Sequence, residues 1–116
     1  TPPGKRIMSE RTARQIREML EGVFGPGGTA SEVSIPGYEL AGKTGTANKV
    51  DEKTGLYSES RYIASFVGFA PADRPRLLVA VMVDEPQGAI YGGEVAAPAF
   101  QQITSFALNY LRIPPE

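Results

Sequence analysis

The sequence predicts an α+β domain: an antiparallel sheet packed by helices. Three observations carry this. Apolar residues recur at helical spacing near both ends of the chain, from Ser9 to Val23 and again from about Val95 to Tyr110. Between these ends lie three strand-like runs, Tyr38–Ala47, Tyr62–Ala70 and Leu77–Val83. The last two are joined by Pro71-Ala72-Asp73-Arg74-Pro75, a turn of hairpin length, so the three runs form an antiparallel meander.

Each element follows from local chemistry. Thr1 to Ile7 is an extended, Pro-rich lead-in. Ser9 is a good N-cap, and Glu10 puts a negative charge in the first turn, where the helix dipole favours it. Ala13, Ile16, Leu20 and Val23, flanked by Met19, form an apolar stripe expected to pack on the core, with Met8 stapled onto Ala13. Arg11, Arg14, Arg17 and Glu18 cover the outer face, and Gly25-Pro26-Gly27-Gly28 ends the helix. Thr29 to Ser34 reads at most as one helical turn. Pro36-Gly37 is a turn that launches the first strand, and Asn48 to Ser60 is a polar loop. The run Tyr62–Ala70 has apolar groups on both faces. Leu77 to Val83 is continuously apolar, as strands covered on both faces are. Asp84 to Gly88 closes it, and Ile90-Tyr91-Gly92-Gly93 is an irregular connection. Pro98 is tolerated in the first turn of the last helix, whose predicted buried stripe is Ile103, Phe106, Ala107 and Tyr110.

Composition narrows the function classes. With 116 residues, a net charge of −1 and 41% hydrophobic content, the chain suits one globular unit and not a disordered segment. No basic block points to nucleic acid. The absence of Cys and His removes disulfides, Cys nucleophiles, His general bases and the usual zinc sites. The longest wholly apolar run, Leu77 to Val83, is far below the ~18 residues of a membrane helix, and the first residues lack the apolar core of a signal peptide.

The chemistry-bearing stretch is Tyr38 to Ala47. Side chains alternate along a strand, so Tyr38, Leu40, Gly42, Thr44 and Thr46 share one face, and Glu39, Ala41, Lys43, Gly45 and Ala47 the other. Two hydroxyls thus stand side by side, a cation stands opposite, and Gly45 leaves the backbone open to close approach. Such a cradle suits a carboxylate or an oxyanion. Lys-Thr-Gly recurs as Lys53-Thr54-Gly55, but in a polar loop with no rigid element to hold its groups, and is read as chance. A simple meander leaves Leu77–Val83 at a sheet edge, where so apolar a strand invites aggregation, so another segment is expected to pair with it.

At these residues the sequence resembles the C-terminal part of a penicillin-binding transpeptidase domain. It looks most like the class B, division-type enzymes, the penicillin-binding protein 3-like D,D-transpeptidases that cross-link peptidoglycan. The resemblance rests on Thr1-Pro2-Pro3-Gly4, the helix Ser9 to Val23, Pro36-Gly37-Tyr38 leading into Ala41-Gly42-Lys43-Thr44-Gly45-Thr46-Ala47, then Tyr62 to Pro71, and Tyr91-Gly92-Gly93 before Ala97-Pro98. It covers nearly the whole chain. It implies a sheet of about five strands in the full domain, three of them in these residues. The family combines Ser-x-x-Lys, Ser-x-Asn and Lys-Thr-Gly motifs. Ser9, Ser31, Ser34, Ser58, Ser60, Ser65 and Ser105 all lack the activating neighbours. The resemblance therefore puts the nucleophile, its Lys base and the middle motif in an upstream part of the same domain, and predicts that residues 1–116 alone are inactive.

Carried over residue by residue, the resemblance makes Lys43 an electrostatic partner of the Ser-x-Asn motif. Thr44 and Thr46 would hold the carboxylate of the acyl donor or of a β-lactam. Gly45 belongs to the same catalytic run, and the Thr46 backbone N–H would be half of an oxyanion hole. Ile90, Tyr91 and Gly92 would flank the substrate; family sequences often carry an aromatic where Ile90 stands. The residues themselves leave Tyr91 equally open to anchoring a turn. The implied partners are peptidoglycan stem peptides, β-lactam antibiotics and other division proteins, with no cofactor, no metal and no nucleic acid. The implied location is the periplasmic face of the bacterial inner membrane, with the anchor in another segment. A D,D-carboxypeptidase or serine β-lactamase would share this chemistry with water as acceptor, and a non-catalytic scaffold could share the fold.

Overall fold

The computed structural model describes residues 2–115; Thr1, the first residue of the Pro-rich lead-in, and Glu116 lie outside the described residues. Helix α1 (Glu10–Glu21) is followed by a 3-10 turn (Gly22–Phe24), strands β1 (Ala41–Val50), β2 (Tyr57–Ala70) and β3 (Leu77–Asp84), a single-turn helix α2 (Gly92–Val95) and helix α3 (Ala97–Tyr110). The sheet order is β1-β2-β3, antiparallel throughout, which is the predicted meander.

Register assigns the faces. Thr44 lies opposite Phe66, and Phe66 opposite Val81, on the face that carries the core. Lys43, Val67 and Ala80 line up on the other face. The core is built on Phe66 and Phe100, both fully buried, with ring centroids 4.7 Å apart. Phe24 closes the cluster edge-on to Phe66 at 5.6 Å. Phe100 can seat there because Gly68 has no side chain; a Cβ would stand 2.6 Å from its ring. The Tyr38 hydroxyl donates to the Ile113 carbonyl and ties the approach to β1 to the end of the chain.

Several expectations are corrected. The first strand begins at Ala41 and not Tyr38, because Tyr38 N–H turns back to the Ile35 carbonyl at 3.0 Å and completes the Pro36-Gly37 turn. The expected loop Asn48–Ser60 is mostly hairpin: β1 and β2 extend towards each other and leave only residues 51–56 outside the strands. Asp51 organises that turn, its carboxylate accepting from the Lys53 and Thr54 N–H groups at 2.8 and 3.2 Å. Residues 29–32 form a hydrogen-bonded turn and not a helix.

The helix faces also differ. Ser9 caps α1 as expected, accepting from Thr12 N–H; of the expected stripe Val23 packs on the core and Leu20 is half-buried, whereas Ala13 and Ile16 are exposed, the flanking Met19 is 73% exposed, and no residue of α1 is fully buried. In α3 the buried residues are Ala97, Phe100, Thr104 and Leu108, whereas Ile103, Phe106 and Tyr110 of the predicted stripe are exposed and Ala107 is half-buried. The seat at Gly68 fixes Phe100 inward, and residues four and eight further on follow it. Phe106 and Tyr110 stack on each other outside the core, centroids 5.9 Å apart. In β3 Leu77, Val79, Val81 and Val83 pack on the core; Met82, on the opposite face, is 71% exposed, so among the described residues one face is covered and not both.

Candidate active site

β1 pairs with β2 and with no other strand among the described residues, so alternate backbone groups lie along its outer edge. Lys43 is exposed and its Nζ turns over the strand, donating to the Thr44 carbonyl at 3.0 Å and, more weakly, to Thr44 Oγ1 at 3.4 Å. Thr44 and Thr46 share the core face, Thr44 opposite Phe66 and Thr46 opposite Ala64. Thr44 Oγ1 lies 3.1 Å from Thr29 Oγ1, and Thr46 Oγ1 accepts from the Gly92 N–H at 3.2 Å. The Lys43, Thr44 and Thr46 groups predicted from the strand pattern are therefore brought together within one short stretch.

The expected vacancy at Gly45 is filled. A Cβ there would collide with Ser65 Oγ on the neighbouring strand. The close approach to the Gly45 backbone does occur, but it comes from Gly92 of the same chain. A Cβ on Gly92 would stand 2.7 Å from the Gly45 carbonyl oxygen and would also strike the Ser65 carbonyl. Gly92 is thus buried against the strand. Tyr91 is 61% exposed beside it, and its carbonyl caps α2 by accepting from Glu94 and Val95 N–H groups at 3.0 and 2.9 Å. Ile90 is half-buried. The backbone of Tyr91 therefore anchors a turn while its ring remains on the surface near the Thr46 end of β1.

Lys53-Thr54-Gly55 forms the tip of the exposed hairpin, and two of its N–H groups are already bound by Asp51. Those bonds, followed by the Arg61 cation, hold the Asp51 carboxyl below its ordinary pKa. Beyond the motif, Lys49 bridges Asp84 at 2.9 Å and Glu85 at 3.0 Å, which raises its pKa and links the hairpin to the end of β3. Thr29 and Ser65 are the two residues at the site that the sequence does not point to. Thr29 sits in a turn without periodicity, and Ser65 becomes a neighbour of Gly45 only through the β1–β2 register.

Comparison with known proteins gives concordant matches. The family model for the penicillin binding protein transpeptidase domain matches residues 1–105. The chain is 46% identical over 115 residues to the probable peptidoglycan D,D-transpeptidase PenA of Neisseria meningitidis, covering 98% of this chain and 19% of that protein. It superposes on the transpeptidase domain of Burkholderia pseudomallei penicillin-binding protein 3 with a TM-score of 0.85 and 46% identity, covering 99% of this chain and 34% of that one. Mycobacterium tuberculosis penicillin-binding protein 3, solved in complex with ampicillin, matches with a TM-score of 0.84 and 34% identity over 100% of this chain and 28% of that one. The chain thus spans about a fifth of the length of the curated relative.

Proposed function

The chain belongs to the penicillin-binding protein transpeptidase family, and on that premise we propose that it supplies the Lys-Thr-Gly strand of a peptidoglycan D,D-transpeptidase. In this reading the serine nucleophile, its Lys partner and the Ser-x-Asn motif come from another part of the same domain. The serine Oγ attacks the carbonyl carbon of the D-Ala–D-Ala amide. The C–N bond breaks, D-alanine leaves with the proton, and an acyl ester remains. The amine of a second stem peptide then attacks the ester, forms the cross-link and returns a proton to the serine. Lys43 sets the potential near the middle motif. Thr44 and Thr46 donate to the substrate's terminal carboxylate, and the Thr46 N–H is half of the oxyanion hole, where one donor is typically worth about 3–4 kcal/mol in the transition state. Ile90 and Tyr91 form the wall beside the substrate, and Gly92 holds that wall against β1.

The observation that supports this most is the pairing of two hydroxyls on one face beside a cation. The Gly92 N–H occupies an acceptor site of Thr46 and leaves its proton free to meet an anion. The ampicillin complex of the mycobacterial relative makes a β-lactam the natural probe of the same carboxylate site. Stem peptides are the proposed substrates, and division proteins the proposed partners. The proposed location is the periplasmic face of the inner membrane, with the anchor elsewhere, since no helix among the described residues is long and apolar enough to cross a membrane.

The test is acylation by a fluorescent penicillin in the complete transpeptidase domain. Lys43→Arg keeps the charge but changes its shape and donor geometry, and should slow acylation with little change in melting temperature. Residues 1–116 alone should form no covalent adduct. Unchanged kinetics in Lys43→Arg, or a stable penicilloyl adduct on any serine of this chain, would overturn the assignment.

A further inference from the structure

We infer that Thr29 is a positioning residue for this anion site: its hydroxyl fixes the Thr44 hydroxyl as a donor towards the substrate's carboxylate. The inference rests on the proposed function and adds to it a residue outside the Lys-Thr-Gly strand.

A threonine hydroxyl has one proton and two acceptor sites, and it binds an anion only by donating that proton. Thr46 is set up for this by Gly92, whose N–H can only donate. Thr44 has two neighbours. The Lys43 ammonium, 3.4 Å away, can only donate to it. Thr29 Oγ1, 3.1 Å away, can either donate or accept. If Thr44 donates to Thr29, it has no proton left for a ligand. If Thr29 donates to Thr44, both acceptor sites of Thr44 are filled and its proton must point away from its two internal partners. A carboxylate at the site selects the second arrangement, in which the Thr29 donor holds the Thr44 hydroxyl in one orientation with its proton towards the ligand.

Thr29 is also held firmly enough to do this. The next residue, Ala30, is buried, and its N–H donates to the Val23 carbonyl at 3.0 Å. The Gly93 backbone lies close against the Thr29 carbonyl: a Cβ on Gly93 would collide with its oxygen, and would stand 3.6 Å from the Thr44 methyl. Gly93 thus closes over the Thr29 end of the hydroxyl pair.

The experiment compares acylation of the complete domain by a penicillin with a free carboxylate and by its methyl ester. Thr29→Val keeps the shape and removes the hydroxyl. It should lower the second-order acylation rate for the carboxylate by up to about tenfold, the loss expected for one hydrogen bond between neutral groups. The rate for the ester should not change, and Thr29→Ser should restore the carboxylate rate. In a Thr44→Val background, Thr29→Val should have no further effect. An equal loss for both probes, or additive losses in the double variant, would reduce Thr29 to a structural residue and overturn the inference. If the unmodified domain is acylated normally and Thr29→Val matches it, only the Thr29 inference falls. If the unmodified domain forms no adduct at all, the transpeptidase reading falls and this inference falls with it.

Discussion

Gly92→Ala tests how the site is built. A Cβ at this position would stand 2.7 Å from the Gly45 carbonyl oxygen and 3.1 Å from the Gly45 nitrogen, and it would strike the Ser65 carbonyl directly. These are backbone atoms of paired strands and cannot turn aside as a side-chain tip would. α2 must therefore lift from β1, which breaks the 3.2 Å bond from Gly92 N–H to Thr46 Oγ1. Overpacking of this kind costs about 1–3 kcal/mol, and the lost hydrogen bond adds about 1 kcal/mol. The expected loss is thus about 2–4 kcal/mol in urea unfolding, with faster amide exchange at Gly92. Gly22→Ala is the matched control. Its φ is −60° and nothing lies within 4 Å of the added methyl, so it should stabilise by about 0.4–1 kcal/mol through the unfolded chain. If Gly92→Ala costs less than ~0.5 kcal/mol, the range of an ordinary surface change, Gly92 does not dock the connection on β1 and the structural account of the site is wrong.

Two further outcomes concern the β1–β2 hairpin. Lys53→Ala should leave penicillin acylation untouched, because the second Lys-Thr-Gly copy lies at the exposed tip with two N–H groups bound to Asp51; a large loss would mean that the wrong copy was assigned to the site. Asp51 has a lowered pKa, caused first by the Lys53 and Thr54 N–H groups. Its contribution to stability is therefore present above the ordinary aspartate value of about 3.9 and is lost as the pH falls through the lower folded value. Amide NMR shifts of Lys53 and Thr54 should titrate below that ordinary value and lose the transition in Asp51→Asn; a midpoint at or above it would contradict the geometry.

The alternation along β1 was legible because it is a purely local property: once the stretch is a strand, Lys43 must oppose Thr44 and Thr46. The meander was legible for a similar reason, since Pro71–Pro75 is too short to allow anything but an antiparallel return. The extent of the hairpin was not. Asn48 to Ser60 is polar because it is exposed, and polarity alone does not separate a loop from a solvated two-stranded ribbon. What extends the ribbon is pairing, including Asn48 Nδ2 donating to the Ser58 carbonyl at 2.8 Å. Thr29 was invisible for a different reason. Its partner is 15 residues away in the chain, and no spacing rule joins a turn hydroxyl to a strand hydroxyl.

The misplaced stripe of α3 has a physical source. Periodicity reports that a face is apolar, but not which neighbour covers it. α3 is apolar around much of its circumference, so its phase is decided by the notch that Gly68 offers to Phe100 and not by which stripe is greasier. The cost of that choice is visible at Thr104, fully buried with its Oγ1 unpartnered, while Phe106 stays 69% exposed. α1 leaves Ile16 and Met19, and β3 its Leu78 and Met82, without cover from the described residues. Exposed apolar surface of this extent marks an interaction surface. Under the proposed function its occupant is the remainder of the transpeptidase domain, and the chain spans 34% of the Burkholderia pseudomallei domain structure it matches. The same remainder would pair with the open edge of β3 and bring the serine to the Lys43 strand. On this reading the surfaces that leave the helices uncovered and the site that lacks a nucleophile share one cause: both are halves of interfaces within a single domain.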